Sequence, residues 1–264
     1  MFKKIIFITM LLSSMAMASQ SVVDGKVMSR DLLTNDTKSA ITFYTKLFGW
    51  TAEKKKNFTK LTKNGRLMAN VVEIKPEKHS LWVPQFTHHN LVDAKKTVLD
   101  NGGLIVKDVH TKENFGDFIV IRDQEHALCV ISKANGFKQP SGFVEVNEWL
   151  WDELWSHDIK ASSSFYQKLF SYEEEKTPSG YIVFKKADEW LSGLLVNPYK
   201  KSQTQWASTV RVSNPKETAE KAKALGGKIL VNIEKSETHA PAVILTDPTG
   251  ALFIIEKYEE KAPR

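Results

Sequence analysis

The stretch from Trp149 to Ser156 concentrates side chains able to do chemistry, because Trp149, Trp151, Glu153 and Trp155 alternate with Leu150, Asp152, Leu154 and Ser156. In an extended strand, alternate side chains share a face, so the three indoles and Glu153 are predicted to stand together. A carboxylate among indoles has two uses. It can act as general base on a carbon acid, or it can orient a flat ligand against aromatic walls. A carboxylate in such surroundings is costly unless paired, and Arg211 is the predicted partner. The seven histidines (His79, His88, His89, His110, His126, His157 and His239) are scattered over strand ends and loops and read as exposed polar residues. Zinc binding by His88 and His89 together is conceivable, but neighbouring residues on a strand face opposite ways. The lone Cys129 lies in the apolar run Ala127 to Ile131, has no disulfide partner, and reads as a small core residue.

The elements that must position these residues come in two copies. Asp36 to Trp50, containing Phe43-Tyr44, Lys46-Leu47-Phe48 and Gly49, lies over Asp158 to Tyr172, containing Phe165-Tyr166 and Lys168-Leu169-Phe170, at an offset of 122. Asn101-Gly102-Gly103 lies over Leu225-Gly226-Gly227, and Asp123 to Ile131 over Asp247 to Ile255, at an offset of 124. A period this long marks tandem domains. Asp36 and Asp158 are predicted N-caps of amphipathic helices, each preceded by a strand (Lys26 to Thr34; Glu145 to Trp155). Strands follow at Phe58 to Thr62 and Leu67 to Ile74, and at Gly180 to Lys185 and Gly193 to Val196. The plan then repeats. A strand (Leu81 to Thr87; Trp206 to Val212) leads to a helix (Val92 to Asp100; Pro215 to Leu225) ended by Gly-Gly, and three further strands close each copy. The predicted fold class is therefore α+β, with four βαβββ modules.

Lys3 and Lys4, the apolar run Ile5 to Leu12 and Ala16-Met17-Ala18 read as a signal peptide over residues 1–18, predicting a periplasmic or secreted protein. The apolar run is far shorter than the roughly 20 residues a spanning helix needs, so no membrane association is expected after cleavage. Removing this segment lowers the net charge from +6 to +4, with acidic residues interspersed throughout, which speaks for solubility and against a nucleic-acid partner. The expected organisation is a first domain over 19–134, a turn-rich linker over 135–142 and a second domain over 143–260. The sequence sets no oligomeric state.

The module order, the Phe-Tyr helix ending in Leu-Phe-Gly-Trp, and the last strand introduced by Asp247-Pro248-Thr249-Gly250 together resemble the vicinal oxygen chelate superfamily, the glyoxalase/bleomycin-resistance/dioxygenase proteins. The likeness covers nearly all of the chain after residue 18. Trp151, Glu153, Leu154 and Asp158 look especially like its tandem-domain branch. The resemblance implies two glyoxalase-like domains, each a curved mixed sheet of eight strands around a ligand cavity, which in many members holds a divalent metal. It also implies where ligands would stand: Ser29 and Trp151 on the first strands, the region of Asn70 or Val72 and of Leu194 or Leu195, then Val83 and Ala207, and Val130 and Ile254. None is a His or Glu unless a register shift draws in Glu73, so neither a metal nor another cofactor is expected.

With Trp151 at a slot position, the resemblance turns its strand face toward the cavity. The expected ligand-binding residues are Trp149, Trp151, Glu153, Trp155, Thr209, Arg211, Ile254 and Glu256, the last four with Leu252 on neighbouring strands. Fold alone does not fix chemistry. The leading expectation is an exported protein that binds a small aromatic or amphipathic molecule without metal. The alternatives are a glyoxalase-type lyase or isomerase with Glu153 as its catalytic base, and a non-catalytic scaffold whose surface serves a partner.

Overall fold

The computed structural model describes residues 23–75, 78–110, 116–133, 144–234 and 241–259. The expected signal peptide and the expected linker lie outside them. Copy one runs β1 (Val27–Thr34), α1 (Thr37–Phe48), β2 (Thr51–Lys54), β3 (Thr59–Lys63), β4 (Arg66–Glu73), β5 (Leu81–His88), α2 (Leu91–Asp100), β6 (Leu104–Val109), β7 (Phe118–Arg122) and β8 (Leu128–Lys133). Copy two repeats it as β9 (Trp149–Ser156), α3 (Ile159–Phe170), β10 (Glu173–Lys176), β11 (Ile182–Lys186), β12 (Glu189–Val196), β13 (Gln205–Arg211), α4 (Pro215–Ala224), β14 (Lys228–Ile233), β15 (Ala242–Thr246) and β16 (Leu252–Glu256). The fold class is α+β as expected. Each copy forms one open eight-stranded mixed sheet, ordered β2-β3-β4-β1-β5-β8-β7-β6 and β10-β11-β12-β9-β13-β16-β15-β14.

Local chemistry explains the helix limits. The Asp36 carboxylate accepts from the Ser39 N–H and that of Asp158 from the Ala161 N–H, supplying partners for otherwise unpaired donors of the first turn. Gly49, at φ 74°, ends α1 in the left-handed region, where a residue without Cβ is not strained. The first turns of α2 and α4 are capped in the same way by Asn90 and Asn214.

The helix-bearing faces of the two copies meet. One core joins α1 residues Phe43, Tyr44 and Leu47 to Val210, Ala219, Leu245 and Phe253 of copy two, and the other joins α3 residues Phe165, Tyr166 and Leu169 to Phe86, Ala94, Val98 and Ile121 of copy one. A buried triad crosses at each core. Trp82 Nε1 donates to the Tyr44 hydroxyl (2.9 Å), which donates to Asp247 (3.1 Å); Trp206 Nε1 donates to the Tyr166 hydroxyl (3.2 Å), which donates to Asp123 (3.0 Å). The Phe-Tyr phrases that reveal the duplication therefore also hold its halves together, through one aspartate of the opposite copy each.

Among the described residues, the opposite face of each sheet carries no helix, yet Ser29, Val83, Gln85 and Val130 are buried there in copy one, and Trp155, Ala207 and Ile254 in copy two. Side chains can be buried without a covering layer when the sheet bends around them, so we refer to these faces as cups.

Candidate functional site

The copy-two cup is organised by Glu153. It lies on β9 between Gly193 of β12 and Ala207 of β13. Trp155 Nε1 donates to Glu153 Oε1 (2.7 Å) and the Tyr181 hydroxyl donates to Oε2 (3.1 Å), while Trp151 Nε1 donates to the Tyr181 oxygen (2.7 Å). Burial pushes the Glu153 carboxyl above its usual range, the Trp155 and Tyr181 hydrogen bonds oppose this, and Asp152 adds to it. Desolvation, followed by the neighbouring Glu153 charge, raises the Tyr181 phenol well above its ordinary value, so it stays a donor.

Gly193 makes this arrangement possible. A Cβ at that position would stand inside the Tyr181 hydroxyl group. Gly193→Ala is therefore expected to drive Tyr181 off Glu153, leaving the carboxylate one donor short and the fold about 1–3 kcal/mol less stable, measurable by urea denaturation. An unchanged midpoint would mean that Tyr181 does not need this space.

The structure brings Trp151, Glu153, Trp155, Thr209 and Ile254 to one face: Thr209 pairs with both Trp151 and Ile254, and Ile254 packs with Trp155, Ala207 and Ile244. Glu256 continues this face two residues beyond Ile254 and acts electrostatically on Tyr181. Two of the expected site residues behave otherwise. Trp149 lies in the core between the copies, its Nε1 donating to the Met68 carbonyl (2.7 Å), because a β-bulge between Thr209 and Val210 breaks the alternation. Arg211 is not the partner of Glu153; its guanidinium donates to the Val144 carbonyl. Tyr181 and Tyr199, which rests against Trp155 at 5.8 Å, were not expected. Tyr181 immediately precedes β11 in alternation with Val183, a usable signal, whereas Tyr199 sits in a loop without periodicity.

In copy one, Asp31 occupies the place of Glu153, and Asn70 the place of Gly193, as the cross-strand partner of Asp31. Ser29 donates to Gln85 Oε1, and Gln85 Nε2 donates to Ser132. Register places Gln85 and Thr209, one step from the expected Val83 and Ala207, level with Ser29 and Trp151.

The donor chemistry of these cups does not match a divalent-metal centre, which needs three or four converging imidazole, carboxylate or thiolate ligands. The levels read Ser29, Gln85, Val130 and Trp151, Thr209, Ile254, with Asp31 beside the first and Glu153 and Glu256 near the second, and both oxygens of Glu153 already accept hydrogen bonds. A different group, Asp24, His88 and His89, has ligand atoms within 4.8 Å of one another. Here the expected opposition of the two histidines fails, because His89 lies past the end of β5 and its ring stacks on His88 at 4.9 Å. Nor is His88 an exposed residue: it is buried, and burial lowers its pKa. Its Nε2 lies 3.2 Å from the Leu169 carbonyl, which can only accept, so that nitrogen carries the proton; Nδ1 then accepts from the Asn90 N–H (3.0 Å). With both nitrogens engaged, His88 acts as a structural tie.

No protein-family model matches the chain. Proteins named "Putative glyoxylase CFP32" from Mycobacterium bovis and Mycobacterium tuberculosis are 25% identical to it over 241 residues, covering 86% of this chain and 92% of theirs. Among solved structures, the Mn(II)-bound glyoxalase from Novosphingobium aromaticivorans is similar with a TM-score of 0.65 at 11% identity, over 90% of this chain and 83% of that one. A catechol 2,3-dioxygenase is similar with a TM-score of 0.59 at 12% identity, over 90% and 95%. The paired eight-stranded sheets, the duplicated βαβββ order and these likenesses agree: the chain has the vicinal oxygen chelate superfamily fold in its tandem, two-domain form.

Proposed function

We propose that the protein is a tandem binding protein for small aromatic or amphipathic molecules, that it works without a metal, and that it is exported to the periplasm or beyond. The observation that carries this reading is the Trp151–Tyr181–Glu153–Trp155 chain, which places one carboxyl among indole and phenol rings on the helix-free face of copy two. Aromatic rings supply contact area and a single polar centre supplies orientation, as small-molecule sites require. Trp151 is half-buried and so offers ring surface to a ligand, whereas Trp155 is already packed against its neighbours.

A thermal-shift screen of aromatic metabolites and antibiotics, bleomycin-type compounds included, tests the reading. A ligand is expected to raise the melting temperature, and Trp151→Ala to weaken its binding at least tenfold. Stabilisation by no compound, or equal binding by the variant, defeats it. The catalytic alternative rests on the glyoxylase-named relatives and on Glu153 as base. A methylglyoxal–glutathione assay with added zinc or nickel, run beside metal analysis, tests that alternative, and turnover lost in Glu153→Gln would favour it over binding alone. N-terminal sequencing of protein from the periplasmic fraction tests export, with Ser19 the expected first residue.

A further inference from the structure

We propose that the copy-one cup takes a planar cation with two N–H arms, an amidinium or guanidinium, held between the Asp31 carboxylate and the Asn70 side-chain oxygen. This deepens, and rests on, the reading of the cups as small-molecule sites.

Equivalent positions of the two copies differ. In copy two the carboxylate receives two donors, one to each oxygen. In copy one Asn70 fills the place of Gly193, and its Nδ2 donates to Asp31 Oδ1 (2.9 Å). Among the described residues no other donor reaches Asp31. Asn70 is only 7% exposed, and its Oδ1 is buried without a hydrogen-bond partner. An orphaned buried acceptor of this kind is costly and calls for an explanation. Turning the amide over does not help, since it would set oxygen against carboxylate and orphan the nitrogen instead. Burial pushes the Asp31 carboxyl up to about 6, with only the Asn70 bond working against it.

The cup therefore holds two neighbouring acceptors: the Asp31 carboxylate, anionic near neutral pH and met by a single donor among the described residues, and the Asn70 oxygen, which has none. Neighbouring polar groups cannot fill the gap. Ser29, Gln85 and Ser132 satisfy one another, Val83 and Val130 are apolar, and Lys60, cross-strand from Asn70, makes no bond to Asp31. The complement is a flat group that carries positive charge and two parallel N–H bonds, the geometry in which guanidinium-like cations meet carboxylates best.

Calorimetric titration of the mature chain with benzamidine, benzamide and benzoate at pH 7.5 tests the proposal, alongside the side-chain amide signals of Asn70. Benzamidine is expected to bind saturably and to shift those signals. Asp31→Asn, which keeps the shape and removes the charge, should weaken it at least tenfold. Circular dichroism and the thermal midpoint of Asp31→Asn report whether that variant stays folded. At pH 6, binding is expected to release protons, seen as a buffer-dependent heat. Equal affinity for benzamide or benzoate, or full affinity in folded Asp31→Asn, overturns the proposal and leaves small-molecule binding standing. If no probe binds copy one but a Trp151-dependent ligand binds copy two, the proposal alone falls. If neither cup binds anything, both fall.

Discussion

Replacing Arg30 by Ala is expected to destabilise the protein by about 3–5 kcal/mol, the range for removing one partner of a buried ion pair. Arg30 projects from the helix-bearing face of β1 into the junction of the copies. Its Nε donates to Asp152 Oδ1 (3.1 Å), a terminal nitrogen bonds Oδ2, and the guanidinium lies over the Trp149 ring at 5.1 Å. The side chains of Arg30 and Asp152 are 11% and 2% exposed. Without Arg30, the Asp152 charge keeps only the Ser208 hydroxyl (2.6 Å) in a setting where water cannot replace the lost partner. For a chain of this size each kcal/mol moves the midpoint by about 2–4 °C, so the melting temperature should fall by roughly 6–20 °C. The double variant Arg30→Leu/Asp152→Leu should recover most of the loss, because an apolar pair carries no desolvation cost. A loss below 1 kcal/mol in Arg30→Ala would show that the junction does not depend on this pair.

Arg30 and Asp152 are the same position in the two copies, 122 residues apart. A residue that touches its own counterpart lies near the pseudo-two-fold axis relating the copies, where two identical charges would repel. Arg30 and Asp152 were not paired from the sequence, although they carry opposite charges at equivalent positions of the duplication. The duplication and the helices were legible because buried helical faces impose a period and Asp36 and Asp158 cap them. The edge strands β2 and β10 were not identified individually, since Thr51–Lys54 is exposed on both faces and Glu173–Lys176 nearly so, which removes any alternation. Strand alternation correctly grouped Trp151, Glu153 and Trp155 but failed at Trp149, because one extra residue in the ladder reverses the side on which a side chain emerges. Glu153 was matched to Arg211 on charge alone; the structure satisfies it instead with neutral donors, Trp155 and Tyr181, which no charge-pairing argument would select.

Copy one's acid offers the sharper measurement, since Asp31→Asn should become more stable than the natural protein as pH rises. The folded carboxyl has its pKa raised from 3.8 to about 6, chiefly by burial, so the folded state holds the proton more tightly than the unfolded chain. That contribution is fully present below pH 3.8 and is lost as pH rises through about 6. The amide of the Asp31→Asn variant would not titrate. The stability difference between variant and natural protein should therefore be flat below about pH 4, grow between pH 4 and 6, and level off above it, by about 1–3 kcal/mol in total. Subtracting the two proteins cancels the surface carboxylates whose pKa values are lowered, such as Asp36 and Glu145, which act in the opposite direction. Asp123 also has its carboxyl raised to about 6 by burial, but the backbone N–H groups of Glu125 and Ala127 and the Tyr166 hydroxyl all donate to it, so an amide there would break bonds as well as remove a charge. Asp31 has one partner, an amide that can bond an amide equally well. Urea denaturation of both proteins at pH 4 and 7.5 makes the comparison, and a difference that does not change between them would mean that Asp31 is better solvated than its position on β1 implies.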